Sequence, residues 1–315
     1  MLRTIGLLAL GGLFVFACGG SGDNSEFGSS GGTSGTSGDG TSGNVGFGSS
    51  SDGMSSGASG NGGAADECKK MDFVFVIDNS GSMREEQDNL KTNFPNFIKV
   101  INEYKTKSGA ELDYRVAVTT SDAVKEKGAF RTTRGSGAPN NCNAGPNRGW
   151  LERADGDVSG FFTCRSSVGT NGSGRELPLE SAYLAVNGVN TGFVRGDALI
   201  AFVIITDEDE GGSESGGAGN PVRPDVSTYI KDIDTIAKGT GRWAAAAIAG
   251  PGPGKCTSAG LGDAQEAKRV RQFINTVGKN GVFSSICTGD LAQGLNDALK
   301  TFDAACKDFP PSGVN

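Results

Sequence analysis

The sequence predicts an α/β domain: a doubly wound, mostly parallel sheet flanked by helices on both faces. Three observations predict it. Five strand-like runs, 72–78, 113–120, 199–206, 243–249 and 281–287, alternate with helix-like runs, the mark of a parallel sheet covered on both sides. Two of them, Phe73–Ile77 and Leu199–Ile205, are apolar at every position, as a strand buried on both faces must be. Both end abruptly in oxygen-bearing residues, Asp78-Asn79-Ser80-Gly81-Ser82 and Thr206-Asp207, and open α/β sheets bind ligands at the C-terminal ends of their strands.

Taken in order, residues 1–17 read as an export signal: Arg3 is the positive start, and Ile5–Ala17 is an apolar stretch too short for a comfortable membrane span. The segment ends Val15-Phe16-Ala17-Cys18, which resembles a bacterial lipobox with a bulky Phe16. That resemblance implies acylation of Cys18 and anchoring to a membrane by lipid. Gly19, rather than Asp, implies by the same resemblance onward sorting to the outer membrane or cell surface. Residues 18–65 form a tether. Between 19 and 63 there are 17 Gly and 13 Ser and no Lys or Arg, a composition that cannot bury enough apolar surface to fold. Its reach is about 40 Å. The folded domain is expected over 66–309, followed by a tail, 310–315.

Within the domain, Leu90, Phe94, Phe97, Ile98 and Ile101 recur at helical spacing, with Pro95 expected to kink or split that helix. Val226, Ile230, Ile233, Ile236 and Ala237 form a second stripe. Ala267, Val270, Phe273, Ile274 and Val277 form a third, and Leu291, Leu295, Ala298, Leu299 and Phe302 a fourth. All are read as core. Residues 125–173, rich in Gly, Asn and Arg, break the alternation and are read as an insertion or elaborated edge near the functional rim.

Cys18 apart, six cysteines remain, an even number in an exported chain, which suggests three disulfides. Six cysteines allow fifteen pairings, so position guides the choice. Cys68 and Cys306 flank the domain, Cys142 and Cys164 share the irregular region, and Cys256 and Cys287 each follow a predicted strand. No C-x-x-C occurs and the chain has no histidine, which argues against zinc and redox sites and against Ser–His catalysis. The net charge of −7 is spread along the chain, which argues against nucleic acid and against direct binding to lipid headgroups.

The carboxylate and hydroxyls of Asp78, Ser80 and Ser82 are hard donors suited to Mg²⁺, Mn²⁺ or Ca²⁺. Strand, Asp-x-Ser-x-Ser and helix together resemble the metal-ion-dependent adhesion site (MIDAS) of von Willebrand factor type A (vWA) domains, and the resemblance extends over 70–306. It implies a divalent cation, Mg²⁺ foremost, and a protein or glycan partner. It also implies a second loop carrying Thr and an Asp after the fourth strand. Asp207 matches the Asp. At the Thr position, before the helix that begins near Leu179, stands Glu176, which would add a charge where the family has a neutral oxygen. With Asp78, Glu176 and Asp207 around one dication the formal charge is −1, so the cage should hold its cation harder and attract an acidic ligand less. Asp209 is a candidate for a second cation or for orienting the first ligands, whereas Glu208 and Glu210 read as a solvated acidic loop. Asp155-Gly156-Asp157 opens like a calcium loop but lacks its closing Glu, and Gly250–Cys256 lacks the residues of a phosphate loop.

The function expected is a surface-tethered binder. Two other readings are a structural component of the envelope, in which the metal only holds loops together, and a hydrolase using the carboxylate pair Asp207 and Asp209.

Overall fold

The computed structural model describes residues 68–212, 222–258 and 262–310. The expected export signal, Cys18, the expected tether, most of the Gly/Ser-rich stretch 211–219 and the last five residues lie outside the described residues.

A six-stranded sheet runs in the order β3-β2-β1-β4-β5-β8. The strands are β1 (Lys70–Ile77), β2 (Asp113–Thr120), β3 (Trp150–Glu152), β4 (Leu199–Ile205), β5 (Trp243–Ala249) and β8 (Gly281–Ser285). Every neighbouring pair is parallel except β2 and β3. A two-stranded antiparallel hairpin, β6 (Cys256–Thr257) and β7 (Asp263–Ala264), stands apart from it.

Helices cover both faces because the side chains of the central strands point alternately to the two faces within an apolar run. Phe73, Phe75 and Ile77 point into a core shared with α1 (Arg84–Glu103), α2 (Val158–Ser166) and α6 (Leu291–Lys307). Val74 and Val76 point to the opposite core, shared with α3 (Pro178–Val186), α4 (Ser227–Ala237) and α5 (Lys268–Val277). The sheet is thus doubly wound. From β1 the chain builds outward through β2 to β3, then returns to the other side of β1 and builds outward through β4 and β5 to β8. The reversal falls between β1 and β4, which are paired over seven residues.

One expectation is corrected. Pro95 does not split α1, which is one helix from Arg84 to Glu103. A helix-interior proline costs about 3 kcal/mol, while full burial of each of Leu90, Phe94, Phe97, Ile98 and Ile101 returns about 1.5–3 kcal/mol. Residues 125–173 are an elaborated edge, one of the two readings of the sequence, since they supply the edge strand β3 and the helix α2. Phe162 of α2 packs between Phe75 and Phe94, with ring centroids at 4.8 and 4.9 Å. The irregular part is ordered from within. The buried Arg165 guanidinium donates to the carbonyls of Ala144, Pro146 and Arg148 at 2.7, 2.6 and 2.9 Å, and Cys142 is bonded to Cys164.

The other disulfides are Cys68–Cys306 and Cys256–Cys287. The first ties the approach to β1 to the last turn of α6, at the pole opposite the C-terminal ends of the strands. β1 itself spans about 25 Å between these poles. Among the described residues no helix is long and apolar enough to cross a membrane.

Candidate metal centre at the switch point

The crevice between the ends of β1 and β4 is where strand order reverses, the position at which open sheets of this kind bind ligands. Asp78 closes β1 there, with its N–H donating to Ile205 O at 2.9 Å. Its carboxylate is fully buried. Oδ1 accepts from the Ser80 N–H at 2.8 Å and Oδ2 from the Thr206 hydroxyl at 2.6 Å. The Ser80 and Ser82 hydroxyls lie 3.0 Å apart, and Ser82 reaches solvent. Ser82 also lies near enough to the carboxyl of Asp207, which is 2 % exposed, to favour its ionised form.

Glu176 joins them. It is fully buried, and its Oε2 accepts from the hydroxyl of Ser121 at the end of β2. Its backbone is held by Gly211 N–H donating to Glu176 O at 2.8 Å, and the next residue by Leu177 N–H donating to Ser121 O at 2.9 Å. The loop before it is pressed onto the Asp78 loop. Gly172 N–H donates to Asn79 O at 2.7 Å, and a Cβ at Gly172 would lie 2.4 Å from Asn79 Oδ1, so only glycine fits. Gln87 of α1 spans the two loops, its amide donating to Asp78 O at 2.9 Å and to Gly169 O at 2.7 Å, while its Oε1 accepts from Gly169 N–H at 3.0 Å.

Asp78, Ser80, Ser82, Glu176 and Asp207 therefore converge from three loops. Burial raises the carboxyls of Asp78, Glu176 and Asp207, and the Asp78 charge raises the other two further. Among the described residues no Lys or Arg forms a salt bridge with any of the three. Glu176 Oε1 and Asp207 Oδ1 are buried without a hydrogen-bond partner. Three buried carboxyls, two of them with an unmatched oxygen, and two adjacent hydroxyls suit a hard divalent cation, whose charge would offset their repulsion. No group of three or more His, Cys, Asp or Glu side chains is set as a ready cage among the described residues. The set is instead part hydroxyl.

Asp209 is not part of it. Its carboxylate accepts from the backbone N–H groups of Arg269 (2.9 and 3.0 Å) and Val270 (3.1 Å), so it caps the start of α5. Asp157, from the calcium-like stretch, likewise caps α2 through Gly160 N–H at 2.9 Å. Glu210 is not solvated as expected but 2 % exposed. It accepts from Leu179 N–H, in the first turn of α3, at 2.7 Å and from the Tyr229 hydroxyl at 3.0 Å. Burial pushes its carboxyl up to about 8.

That shift gives a pH prediction. The folded state holds the Glu210 proton more tightly than the unfolded chain, whose value is 4.5, so it binds more protons between about pH 4.5 and 8. The stability from this group is complete below pH 4.5 and is lost as pH rises toward 8, with a slope of at most about 1.4 kcal/mol per pH unit. Glu210→Gln is expected to flatten urea-measured stability between pH 5 and 8 relative to the unaltered protein. An unchanged slope would remove Glu210 as the source.

The sequence reading singled out Thr206 only as the partner of Asp207 at a strand end, and it missed Ser121 and Gln87. Ser121 carried a signal, as the polar residue directly after a predicted strand.

Two solved structures with similar backbones are proximal thread matrix protein 1 from the mussel byssus and the pilus adhesin SpaC from Lactobacillus rhamnosus GG in its open conformation. The identities are 13 % and 12 %, and the TM-score is 0.40 for both. Each alignment covers 76 % of this chain, but only 50 % of the byssus protein and 30 % of the adhesin. No protein-family model matches the chain, and no curated protein matches it.

Proposed function

We propose that this chain is a lipid-anchored protein of the cell envelope whose folded domain, of the von Willebrand factor type A kind, binds a divalent cation and through it a protein or glycan partner. The observation that carries the reading is the convergence of Asp78, Ser80, Ser82, Glu176 and Asp207 at the switch point, with buried carboxylate oxygens left unmatched. The Asp-x-Ser-x-Ser loop at the end of the central strand and a sheet whose order reverses beside it support the type A assignment. The cation, Mg²⁺ or else Mn²⁺ or Ca²⁺, would be held by the three carboxylates and two hydroxyls. It would supply Lewis acidity toward an oxygen donor on the partner.

The domain's own residues do the rest. Ser121, Thr206 and the Ser80 N–H aim the carboxylates, Gln87 and Gly172 fix the spacing of two loops, and exposed Gly81 and Ser82 leave the site open on one side. Cys68, where the described residues begin, lies at the pole opposite the site. We read the protein as non-enzymatic. The hydrolase pair is broken because Asp209 is committed to α5.

Full burial of Asp78 and Glu176 favours a second reading, in which the cation only braces the loops. Retention of the oxidised domain on immobilised envelope proteins and glycans separates the two. Cation-dependent retention, abolished by EDTA, supports the binder. A cation-dependent rise in melting temperature without retention supports the brace and overturns the binder.

A further inference from the structure

The loop after β4 is pinned to a different neighbour at almost every residue. The Thr206 hydroxyl goes to Asp78, Asp207 O takes the Gln265 N–H, and Asp209 caps α5. Glu210 and the glycines after it reach the segment that carries Glu176. Glu210 Oε2 accepts from Leu179 N–H at 2.7 Å, and Gly211 N–H donates to Glu176 O at 2.8 Å. A Cβ on Gly212, whose φ is +96°, would lie 3.3 Å from Gly174 O and 3.4 Å from the Cα of Arg175. The two loops are therefore in contact at 210, 211 and 212 in succession.

Helix α3 needs what Glu210 offers. Its cap residue, Leu177, has no side-chain acceptor, and Pro178 in its first turn has no N–H. Glu210 stands in for the missing cap from a distant loop. Its other oxygen, Oε1, accepts from the Tyr229 hydroxyl of α4 at 3.0 Å. Tyr229 is wholly buried in the core shared by α3, α4 and α5, so that end of the brace is fixed. Asp207 lies three residues before Glu210, and Glu176 three residues before Leu179. The bond from Leu179 to Glu210 thus joins the two loops that present these candidate ligands.

We propose that Glu210 is a positioning residue for the cation site: it touches no ion, but by bonding the start of α3 to the loop after β4 it sets how far Asp207 stands from Glu176. The proposal rests on the single-cation reading and deepens it. Its physical content is the length of one side chain. Aspartate keeps the carboxylate but is one methylene shorter, so it either draws the loops together or leaves the Leu179 N–H without its acceptor. Glutamine keeps the length and an oxygen for Leu179, and its amide can donate to the Tyr229 oxygen. A displacement of about 1 Å is enough to spoil a preorganised ligand set.

The test is Mn²⁺ titration of the intact, oxidised protein, followed by electron paramagnetic resonance well below the melting temperature. It compares Glu210→Asp, Glu210→Gln and a control, Ile101→Val, in the buried last turn of α1, which loses stability alone. Glu210→Asp is expected to bind at least about tenfold more weakly, Glu210→Gln within about threefold of the unaltered protein, and the control equally well. Unchanged affinity in Glu210→Asp overturns the positioning role and leaves the cation site standing. An equal loss in Glu210→Gln overturns it too, because reach would not be what matters, and so does an equal loss in the control, because affinity would then follow stability. No uptake by the unaltered protein overturns the cation reading itself. Should Glu210→Asp fold poorly, amide exchange in the unaltered protein decides. Saturating Mg²⁺ is expected to slow exchange at Leu179 and Gly211 by at least about fivefold, and unchanged exchange there overturns the proposal.

Discussion

Replacing Cys68 and Cys306 together by serine is expected to lower the unfolding free energy by about 5 kcal/mol. The bond joins residues 238 apart in sequence, so it closes nearly the whole domain into one loop. Loop-closure entropy grows with the logarithm of loop length, which makes this the most stabilising of the three disulfides. Both cysteines are buried, at 2 % and 4 % exposure, so the substitution also places polar groups where apolar sulfur packs. Urea denaturation of the oxidised proteins measures the difference, and a loss below about 1 kcal/mol would contradict the expectation. The same bond holds the end of α6 against the start of β1. On the proposed type A reading the last helix would slide as affinity changes, so a helix tied in this way is expected to hold the proposed site at a nearly fixed affinity. Amide exchange along α6 should accordingly be slow in the unaltered protein and rise in the double variant.

Glu176→Gln is expected to move two quantities in opposite directions. Without cation, the variant loses a buried carboxyl that burial and the Asp78 charge both disfavour in its ionised form. At pH 8 the metal-free domain should gain about 1–2 kcal/mol. Glutamine keeps an oxygen able to accept from the Ser121 hydroxyl, so the loop should hold its shape. Cation affinity should fall at least tenfold, because one of three charges around the ion is removed. Melting in EDTA and titration with Mn²⁺ read the two effects separately. Unchanged affinity would reduce Glu176 to a residue that starts a helix.

The parts of this molecule legible in its sequence are those whose cause is local. β1, β4 and β5 announce themselves as apolar runs, β2 and β8 as shorter strand-like stretches, and α5 and α6 as stripes with helical period. Asp78, Ser80, Ser82 and Asp207 were readable because a strand ending in oxygen donors is a short, contiguous pattern. What stayed hidden depends on distant partners. β3 is three residues long and is defined by its pairing with β2. α2 is nine residues long, and its Phe162 makes sense only beside Phe75 and Phe94. In the run Asp207–Glu210, four acids that look equivalent take different environments. Asp207 faces the site, and Asp209 caps a helix that starts 59 residues later. Glu208 stays partly exposed, and Glu210 is buried under Tyr229. No periodicity distinguishes them. That Pro95 leaves α1 unsplit is hidden for the complementary reason: its local cost is plain in the sequence, whereas the burial that outweighs it is tertiary.

Isothermal titration of the oxidised domain with Mn²⁺ and Mg²⁺, paired with the same titration of Asp78→Asn, tests the central claim most directly. The account predicts saturable uptake by the unaltered protein, a matching rise in melting temperature, and at least a hundredfold weaker binding at the Asp78 site in the variant. Absence of uptake at millimolar cation, or equal uptake by both proteins, would contradict it.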